Sequence, residues 1–381
     1  MDKILGNLKS APPRKLATVG CSLFILSALA LSLINLGYVT ASLEAIRGAH
    51  PLTEITPPSP LQSCPPPPAC PSTPPTQTAE PIVTETAEPL VAAPLVPTGY
   101  FAACGNETHA AARKLWLEAD ARYASLRDDK FTIAMPTYKR PEVLNITLTR
   151  LLRDKIPSLH EIVVVWNELD KEPPESFTSK HGVKVRYRMS ERNSLNMRLI
   201  PFAEYETQAI LQHDDDVWYE PKDLEFVFQT WRQLGRYRVT GALPRCFSRN
   251  DKGELWYHSC KTGQDWYSLV LTNLAFVHIS FMDYYSSDET IPTLIRQHVD
   301  SVFNCEDIAM NYIASMLTCT GPLHVLGKEN YHNQNPKGGI STGGSHMSKR
   351  NKCLNVFEQV IGFLPLVHQM GSIQRGVPHY A

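Results

Sequence analysis

Three consecutive aspartates, Asp214-Asp215-Asp216, follow the short apolar run Ala209–Gln212 and a histidine, His213. Adjacent carboxylates repel one another, and a strand end gains nothing from three of them unless a cation compensates the charge. The chemistry this pattern offers is a divalent metal held by one or two carboxylates, with the diphosphate of a nucleotide sugar as its bridging ligand. In an extended segment alternate side chains point the same way, so Asp214 and Asp216 are expected to share a side. The competing readings are a solvated acidic turn and a cap for the helix that begins near Pro221.

A second constellation is Asn304-Cys305-Glu306-Asp307, where two acids open a helix whose apolar face is Ile308, Tyr312, Ile313 and Met316. The ordinary reading is charge favouring a helix N-terminus, a contribution of about 0.3–1 kcal/mol. The chemical reading is a carboxylate at a reacting sugar. Cys353 follows Arg350 by three residues. A Cys305–Cys353 bridge would close a loop of about 50 residues, contribute roughly 4 kcal/mol in the chain-entropy model, and bring Glu306 near Arg350. An acid and a guanidinium stapled beside a metal site suit a phosphate leaving group, which needs cationic stabilisation.

The run from Arg192 to Arg198, with Asn193 and Asn196 inside it, offers amides and a guanidinium between two strands. The Gly-rich stretch Gly338–Gly344 reads either as a lid or as an idle loop. The 13 histidines show no zinc spacing, and neither a nucleophile elbow nor a phosphate-binding Walker loop occurs, so hydrolase and kinase readings lack support.

These residues need a frame. Phe131–Met135 reads as a strand stopped by Pro136, and Pro141–Arg153 has helical spacing. Ile162–Trp166 reads as a strand buried on both faces, and Val183–Tyr187 alternates. Ala209–Gln212 is a short strand, and Leu224–Leu234 is helical. Strands alternating with helices imply a mostly parallel sheet in an α/β domain, with ligands beyond the carboxyl ends of the strands. That places Tyr138–Arg140, Asn167 and Asp214–Asp216 on one edge.

The frame has a leader. Residues 16–39 carry no charge over 24 positions, a helix of about 36 Å against a hydrocarbon core of about 30 Å. A signal peptide usually has a shorter apolar core, of about 7–15 residues. Lys3, Lys9, Arg14 and Lys15 precede the span, which puts residues 1–15 in the cytosol and the remainder in the lumen, a single-pass type II arrangement. Fifteen of the 30 prolines lie between Pro51 and Pro97, so residues 40–100 are read as an extended stem. The folded domain is expected over 101–381. Eight of the nine cysteines lie beyond the span, where an oxidising lumen permits disulfides. Sequons at Asn106 and Asn145 suit the same compartment. The net charge of −1 gives no electrostatic case for nucleic acid.

Taken in order, FTIAMPTYKRPEVL, IVVVWNE, NSLNMRL, AILQHDDDV and NCEDIAMNYI resemble the catalytic domain of the exostosin-like glycosyltransferases, family 64, over roughly 129–363. The resemblance implies a single GT-A domain, a Rossmann-like nucleotide-sugar-binding fold, behind an N-terminal transmembrane helix in the Golgi or ER membrane. It implies a retaining transferase that uses Mn2+ and a UDP-sugar, with N-acetylhexosamine as the sugar its best-known members transfer. The acceptor would be a glycan, glycoprotein or glycolipid, and a homodimer is compatible with the arrangement. By motif, Arg140, Asn167, Asn193 and Arg198 would contact UDP, and Asp214 and Asp215 would hold ribose and sugar hydroxyls. Asp216, with Asp214 beside it, would hold the metal. Glu306 and Asp307 would sit at the sugar, and Arg350 on the diphosphate. Two departures stand out: Pro136 replaces the usual Gln, and Glu306 stands where some members have Asp. Cys246 and Cys260, flanking a hairpin expected at Asn250–Gly253, are no pair characteristic of the family.

Overall fold

A computed structural model of the chain describes residues 107–261, 263–334 and 343–376. The chain divides into two units, Met1–Leu90 and Val91–Ala381, and every described residue belongs to the second. The predicted span at 16–39, the stem, Asn106 and most of the Gly-rich stretch lie outside the described residues. Among the described residues no helix is long and apolar enough to cross a membrane.

The chain opens with α1 (Glu107–Tyr123), β1 (Arg127–Thr137), α2 (Pro141–Arg153) and β2 (Leu159–Trp166). It continues through β3 (Phe177–Thr178), β4 (Lys184–Met189), a 3-10 turn (Leu195–Leu199), β5 (Thr207–His213) and β6 (Val217–Trp218). Next come α3 (Pro221–Thr230), a π turn (Trp231–Gly235), β7 (Thr240–Gly241), β8 (Pro244–Arg249) and β9 (Leu255–His258). Then follow β10 (Trp266–Tyr267), β11 (Leu269–Val270), β12 (Leu274–His278), α4 (Ile279–Ser286), α5 (Thr290–Val302) and α6 (Glu306–Thr318). The last elements are β13 (Leu323–Leu326), β14 (His332–Asn333), α7 (His346–Ile361), β15 (Gln369–Met370) and β16 (Ile373–Gln374).

Nine strands form one mixed sheet in the order β16-β13-β7-β12-β5-β1-β2-β4-β3. Its centre, β5-β1-β2-β4, is parallel, and β12 joins β5 antiparallel. Alternation along each strand splits the core in two. Ile133, Val164, Leu211 and Phe276 pack with α2 and α3 on one face, whereas Ala134, Val163, Ile210 and Ala275 pack with the helices on the other. Residues Asp307–Thr318 of α6 are buried without interruption, so this helix runs through the core rather than over it. Gly241 allows β7 to lie against β12: a Cβ there would meet the Leu274 carbonyl and stand 2.6 Å from the Ala275 Cβ.

Two expectations need correction. Pro136 does not stop the first strand. It pairs in register with Val165 on one side, while on the other the pairing to β5 ends at Ala134, so its missing N–H leaves no gap in the ladder. The helix read as Leu224–Leu234 is α3 plus a π turn, Trp231–Gly235.

The expected hairpin is β8 and β9. Asn250 Oδ1 accepts from the amides of Lys252 (3.0 Å) and Glu254 (2.9 Å), and Gly253 takes φ +81°. Cys246 and Cys260 form a disulfide across its base. The free edge of β9 is closed by helix side chains: Asn355 accepts from the Leu255 amide (2.9 Å) and donates to its carbonyl (2.9 Å), and Asn351 accepts from the Tyr257 amide (2.9 Å).

Candidate active site

The site begins where β1, β2 and β5 end. Thr137 Oγ1 donates to Asp215 (2.7 Å), and the Thr137 carbonyl accepts from the Asn167 amide (3.1 Å). Lys139 takes a left-handed conformation, φ 55°, turning the chain so that Arg140 comes back over the strand ends as it enters α2. Arg140 pairs with Asp215, and its Nη1 lies 3.4 Å from Asp216. Thr147 on α2 fixes the Asp215 carbonyl (2.7 Å), and the Gln334 amide fixes that of Asp216 (2.9 Å). Burial drives Asp215 up to about 7, against the pull of Arg140 and Thr137. Burial, then the charge of Asp214, also raises Asp216.

Asp214 belongs to a different arginine. Arg198, buried in the 3-10 turn, pairs with its carboxylate, and donates to the carbonyl and to the hydroxyl (2.8 Å) of Thr272. Asp215 and Asp216 lie in a turn rather than in extended chain. The expectation that Asp214 and Asp216 act from one side thus resolves into two carboxylates held by separate guanidinia. His213 donates Nδ1–H to the Asp214 carbonyl (2.7 Å), and burial lowers it to about 4, so it is a neutral prop. The 3-10 turn is itself pinned. Asn196 donates to Asp300 (2.8 Å) and to the Arg296 carbonyl (3.0 Å), and accepts from Tyr285 (2.5 Å). Asn193, just outside the turn, is exposed.

The second half is built at the N-terminus of α6. Left-handed turns at Phe303 (φ 51°) and Cys305 (φ 78°) swing the chain into the helix. Asn304 Oδ1 accepts from the Cys305 amide (2.8 Å) and from Arg350 (3.3 Å). Arg350, buried on α7, donates to Asp307 (2.5 Å) and to the Tyr257 hydroxyl (3.0 Å), and its guanidinium lies 4.3 Å from that ring's centre. The expected disulfide joins Cys305 to Cys353, with Cα atoms 6.4 Å apart. Burial would raise Asp307, but the charge and hydrogen bond of Arg350, the Ile308 amide and the charge of Arg198 together outweigh it and hold the group below the usual range.

Glu306 is the contrast. Among the described residues it has no hydrogen bond and no ion pair. Burial, then the charges of Asp307 and Asp214, raise it to about 7, opposed by Arg198 and Arg350. Arg198 in turn feels Asp214, Glu306 and Asp307, which links the two halves. Glu306 is near Arg350 as expected, each feeling the other's charge, but the ion pair of Arg350 is with Asp307, which the first turn of α6 buries while Glu306 stays half-buried. Tyr257, Asp300 and His346 escaped the sequence reading. His346 was findable, since it stands four residues before Arg350, one helical turn away. It touches Asn304 at 3.2 Å.

No group of three His, Cys, Asp or Glu ligands occurs among the described residues, so an all-protein metal cage does not fit. A hard divalent cation held by one or two carboxylates, with phosphate and water completing its shell, does. Asp214 and Asp216 are crowded, partly desolvated acids whose repulsion such a cation would relieve.

Acids and arginines thus line the carboxyl edge of the parallel strands of a mixed α/β sheet. A family model described as glycosyl transferase family 64 domain matches residues 131–377, and the chain belongs to that family. It is 34% identical over 238 residues to the exostosin-like-3 homolog of Caenorhabditis elegans, covering 62% of this chain and 28% of that protein. It is 28% identical over 269 residues to mouse exostosin-like 2, covering 66% and 78%. Against the Arabidopsis thaliana glycosylinositol phosphorylceramide mannosyl transferase 1 it is 29% identical over 257 residues, covering 62% and 74%. The chain spans about a third of the length of the larger exostosin relatives. Helix α1 precedes the family match, yet Trp116 is fully buried and donates to Ser280 (2.9 Å), so α1 is part of the same body.

Proposed function

We propose that the chain is a membrane-anchored transferase of the Golgi or ER lumen with a GT-A fold. In this reading it moves a sugar, N-acetylhexosamine first among candidates, from a UDP-sugar to a glycan, glycoprotein or glycolipid with retention of configuration. The observation that carries the reading is Glu306: a lone carboxylate between Arg198 and Arg350, whose own charges are already met by Asp214 and Asp307. A binding scaffold has no use for an uncompensated acid in that position.

Asp216, with Asp214, would hold a divalent metal such as Mn2+, which when bound neutralises charge on the leaving diphosphate. Arg140 fixes Asp215 and Asp216 so that the acidic edge is preorganised. Arg198 fixes Asp214, and Asn196 pins the 3-10 turn that carries Arg198. Asn167 and Asn193 flank the nucleoside position. Asp307 and the Cys305–Cys353 bridge hold Arg350 in place, and Glu306 faces the anomeric carbon, where positive charge develops as the sugar–phosphate bond breaks. Asp307 is the positioning acid and Glu306 the one that meets the sugar.

A second reading, mannosyl transfer, draws on the Arabidopsis relative, 74% of which is matched. Incubating the whole chain with a panel of UDP-hexoses, UDP-N-acetylhexosamines and GDP-mannose, with and without manganese, tests both. Metal-dependent hydrolysis of one donor is expected, and no hydrolysis of any would reject an active transferase. Protection of the folded domain from protease in sealed vesicles tests the anchor.

A further inference from the structure

Each peptide carbonyl of the acidic turn has its own donor. The Asp214 carbonyl accepts from His213 (2.7 Å), that of Asp215 from Thr147 (2.7 Å) and that of Asp216 from the Gln334 amide (2.9 Å). The last two of these holds meet in one residue.

Gln334 follows β14, and its side chain reaches α2 while its backbone holds Asp216. Its Nε2 donates to the Thr147 hydroxyl (2.8 Å) and to the Val143 carbonyl (3.2 Å). A threonine within a helix ordinarily turns its hydroxyl back to the carbonyl four residues earlier, here that of Val143. Gln334 donates to that carbonyl and to the hydroxyl oxygen, and the single hydroxyl proton of Thr147 goes to Asp215. Thr147 is fully buried, so the relay from Gln334 through Thr147 to Asp215 lies out of solvent, and hydrogen bonds linked in this way strengthen one another. Gln334 therefore clasps Asp216 through its backbone and Asp215 through its side chain.

The segment that carries Gln334 is anchored at both ends. His332 and Asn333 are exposed, so burial does little to hold β14. It is held instead by β6, directly after Asp216, with His332 opposite Trp218 and Asn333 opposite Val217. The His332 ring also stacks on Trp218, 5.1 Å between centres. Upstream, Asp223 is buried on α3 and accepts from the amides of Lys328 (2.8 Å) and Glu329 (3.2 Å). Gly327 lets the chain pass this close, since a Cβ there would stand 2.8 Å from Asp223 Oδ2. Arg375, just past β16, completes the anchor. It donates to the same carboxylate (2.7 Å), and its amide donates to the Leu326 carbonyl (3.0 Å). Residues 327–334 are thus a strap that starts at the Asp223–Arg375 ion pair and ends on two acids of the site.

The strap opposes a definite force. Neighbouring carboxylates repel, and a loose turn would let them spread. A cation needs them converged before it arrives, and groups that orient metal ligands without touching the metal change its affinity by about 10- to 100-fold when removed.

Resting on the reading of Asp216 and Asp214 as the metal's ligands, we propose that Gln334 is a positioning residue that fixes the acidic turn for the divalent cation. It acts through its amide on Asp216 and through Thr147 on Asp215, and the Asp223–Arg375 pair supports it from a distance.

Calorimetric titration of the whole chain with UDP, with and without manganese, tests this. Gln334→Ala and Thr147→Val should each weaken affinity in manganese about tenfold and leave the metal-free affinity unchanged. Thr147→Ser keeps the hydroxyl and should keep native affinity. The two residues share one relay, so the double variant should lose less than the product of the single losses. Equal losses with and without manganese would make Gln334 a general support of the nucleotide pocket and overturn the proposal. Fully multiplicative losses in the double variant, or a Thr147→Ser as weak as Thr147→Val, would overturn it too. A native chain whose UDP affinity ignores manganese fails the metal reading separately. Hydrogen exchange in metal-free buffer then decides the clasp, with neither metal nor nucleotide present. Gln334→Ala should speed exchange across 214–218 about tenfold, the loss of one good hydrogen bond, while α6 exchanges at the native rate and so reports an intact fold. Native exchange across 214–218 in the variant overturns the clasp.

Discussion

Two groups of carboxylates face each other across this site and are held in opposite ways. Asp214–Asp216 sit in a turn at the end of β5, each tied by a guanidinium from a loop at the same sheet edge, and Asp216 keeps some exposure to solvent. Glu306 and Asp307 open a helix that runs through the core, with Asp307 buried against Arg350 and the backbone stapled by a disulfide. The first group is under mutual repulsion that its two arginines offset only in part, leaving Asp215 and Asp216 raised. The second is internally satisfied, apart from Glu306. The difference separates residues that spend folding stability on binding from residues that supply it.

The largest effects should therefore come from the second group. Asp307→Asn leaves Arg350 buried without a counter-charge, a loss of about 3–5 kcal/mol that lowers Tm by roughly 10 °C. Cys305→Ser should cost a similar amount, about 4 kcal/mol. Its folded fraction should still bind UDP yet turn over slowly, since about 1 Å of misplacement can cost 100-fold in rate. Thermal unfolding followed by fluorescence reads the first result, and single-turnover kinetics beside UDP calorimetry reads the second. A Tm within 2 °C of native for Asp307→Asn would erase the distinction between the groups.

The first group should behave in the converse way. Asp216→Asn removes one of three crowded acids, so Tm should stay level or rise slightly. Manganese-dependent affinity for UDP should fall at least about tenfold, because a neutral amide is a poorer ligand and leaves the diphosphate charge uncompensated. Calorimetry with and without manganese reads it, and unchanged affinity would remove Asp216 from the metal's shell.

The sequence exposed the first group more fully than the second. The parallel centre of the sheet was legible because Ile162–Trp166 is too uniformly apolar for any place but a strand covered on both faces, and the chemistry follows directly where such strands end. Cys305, Arg350 and Cys353 were legible as a unit because three-residue spacing on a helix keeps Arg350 and Cys353 on one face. Pro136 was misread because a proline's cost depends on which neighbour its missing N–H faces, which is a property of register. Tyr257 was invisible for a related reason. It lies on a short ribbon whose free edge is completed by the side chains of Asn351 and Asn355, from a helix about 100 residues away. No local periodicity encodes a strand whose partner is a pair of carboxamides.

The smallest effect concerns Glu306, the one acid of the second group that resembles the first. Burial, then the charges of Asp307 and Asp214, raise its carboxyl from the reference 4.5 to about 7. In the unfolded chain the group ionises near 4.5, so between that value and about 7 the folded state binds more protons than the unfolded state. Stability must then fall as pH rises across this window, and the cost is complete above it. Asp307 works the other way: its lowered pKa contributes stability that is lost only below 3.8, outside this range. Other groups also titrate between pH 5 and 8, Asp215 among them, so the difference between native chain and Glu306→Gln is what isolates Glu306. In metal-free buffer the two should have similar Tm at pH 5. By pH 8 the variant should be the more stable, by about 1 kcal/mol or roughly 3 °C once neighbouring charges relax. Donor hydrolysis should nonetheless be lost in the variant at every pH, since the amide cannot meet positive charge at the anomeric carbon. A Tm difference that stays flat from pH 5 to 8 would mean that Glu306 is solvated like any surface acid. The second group would then be a wholly structural corner.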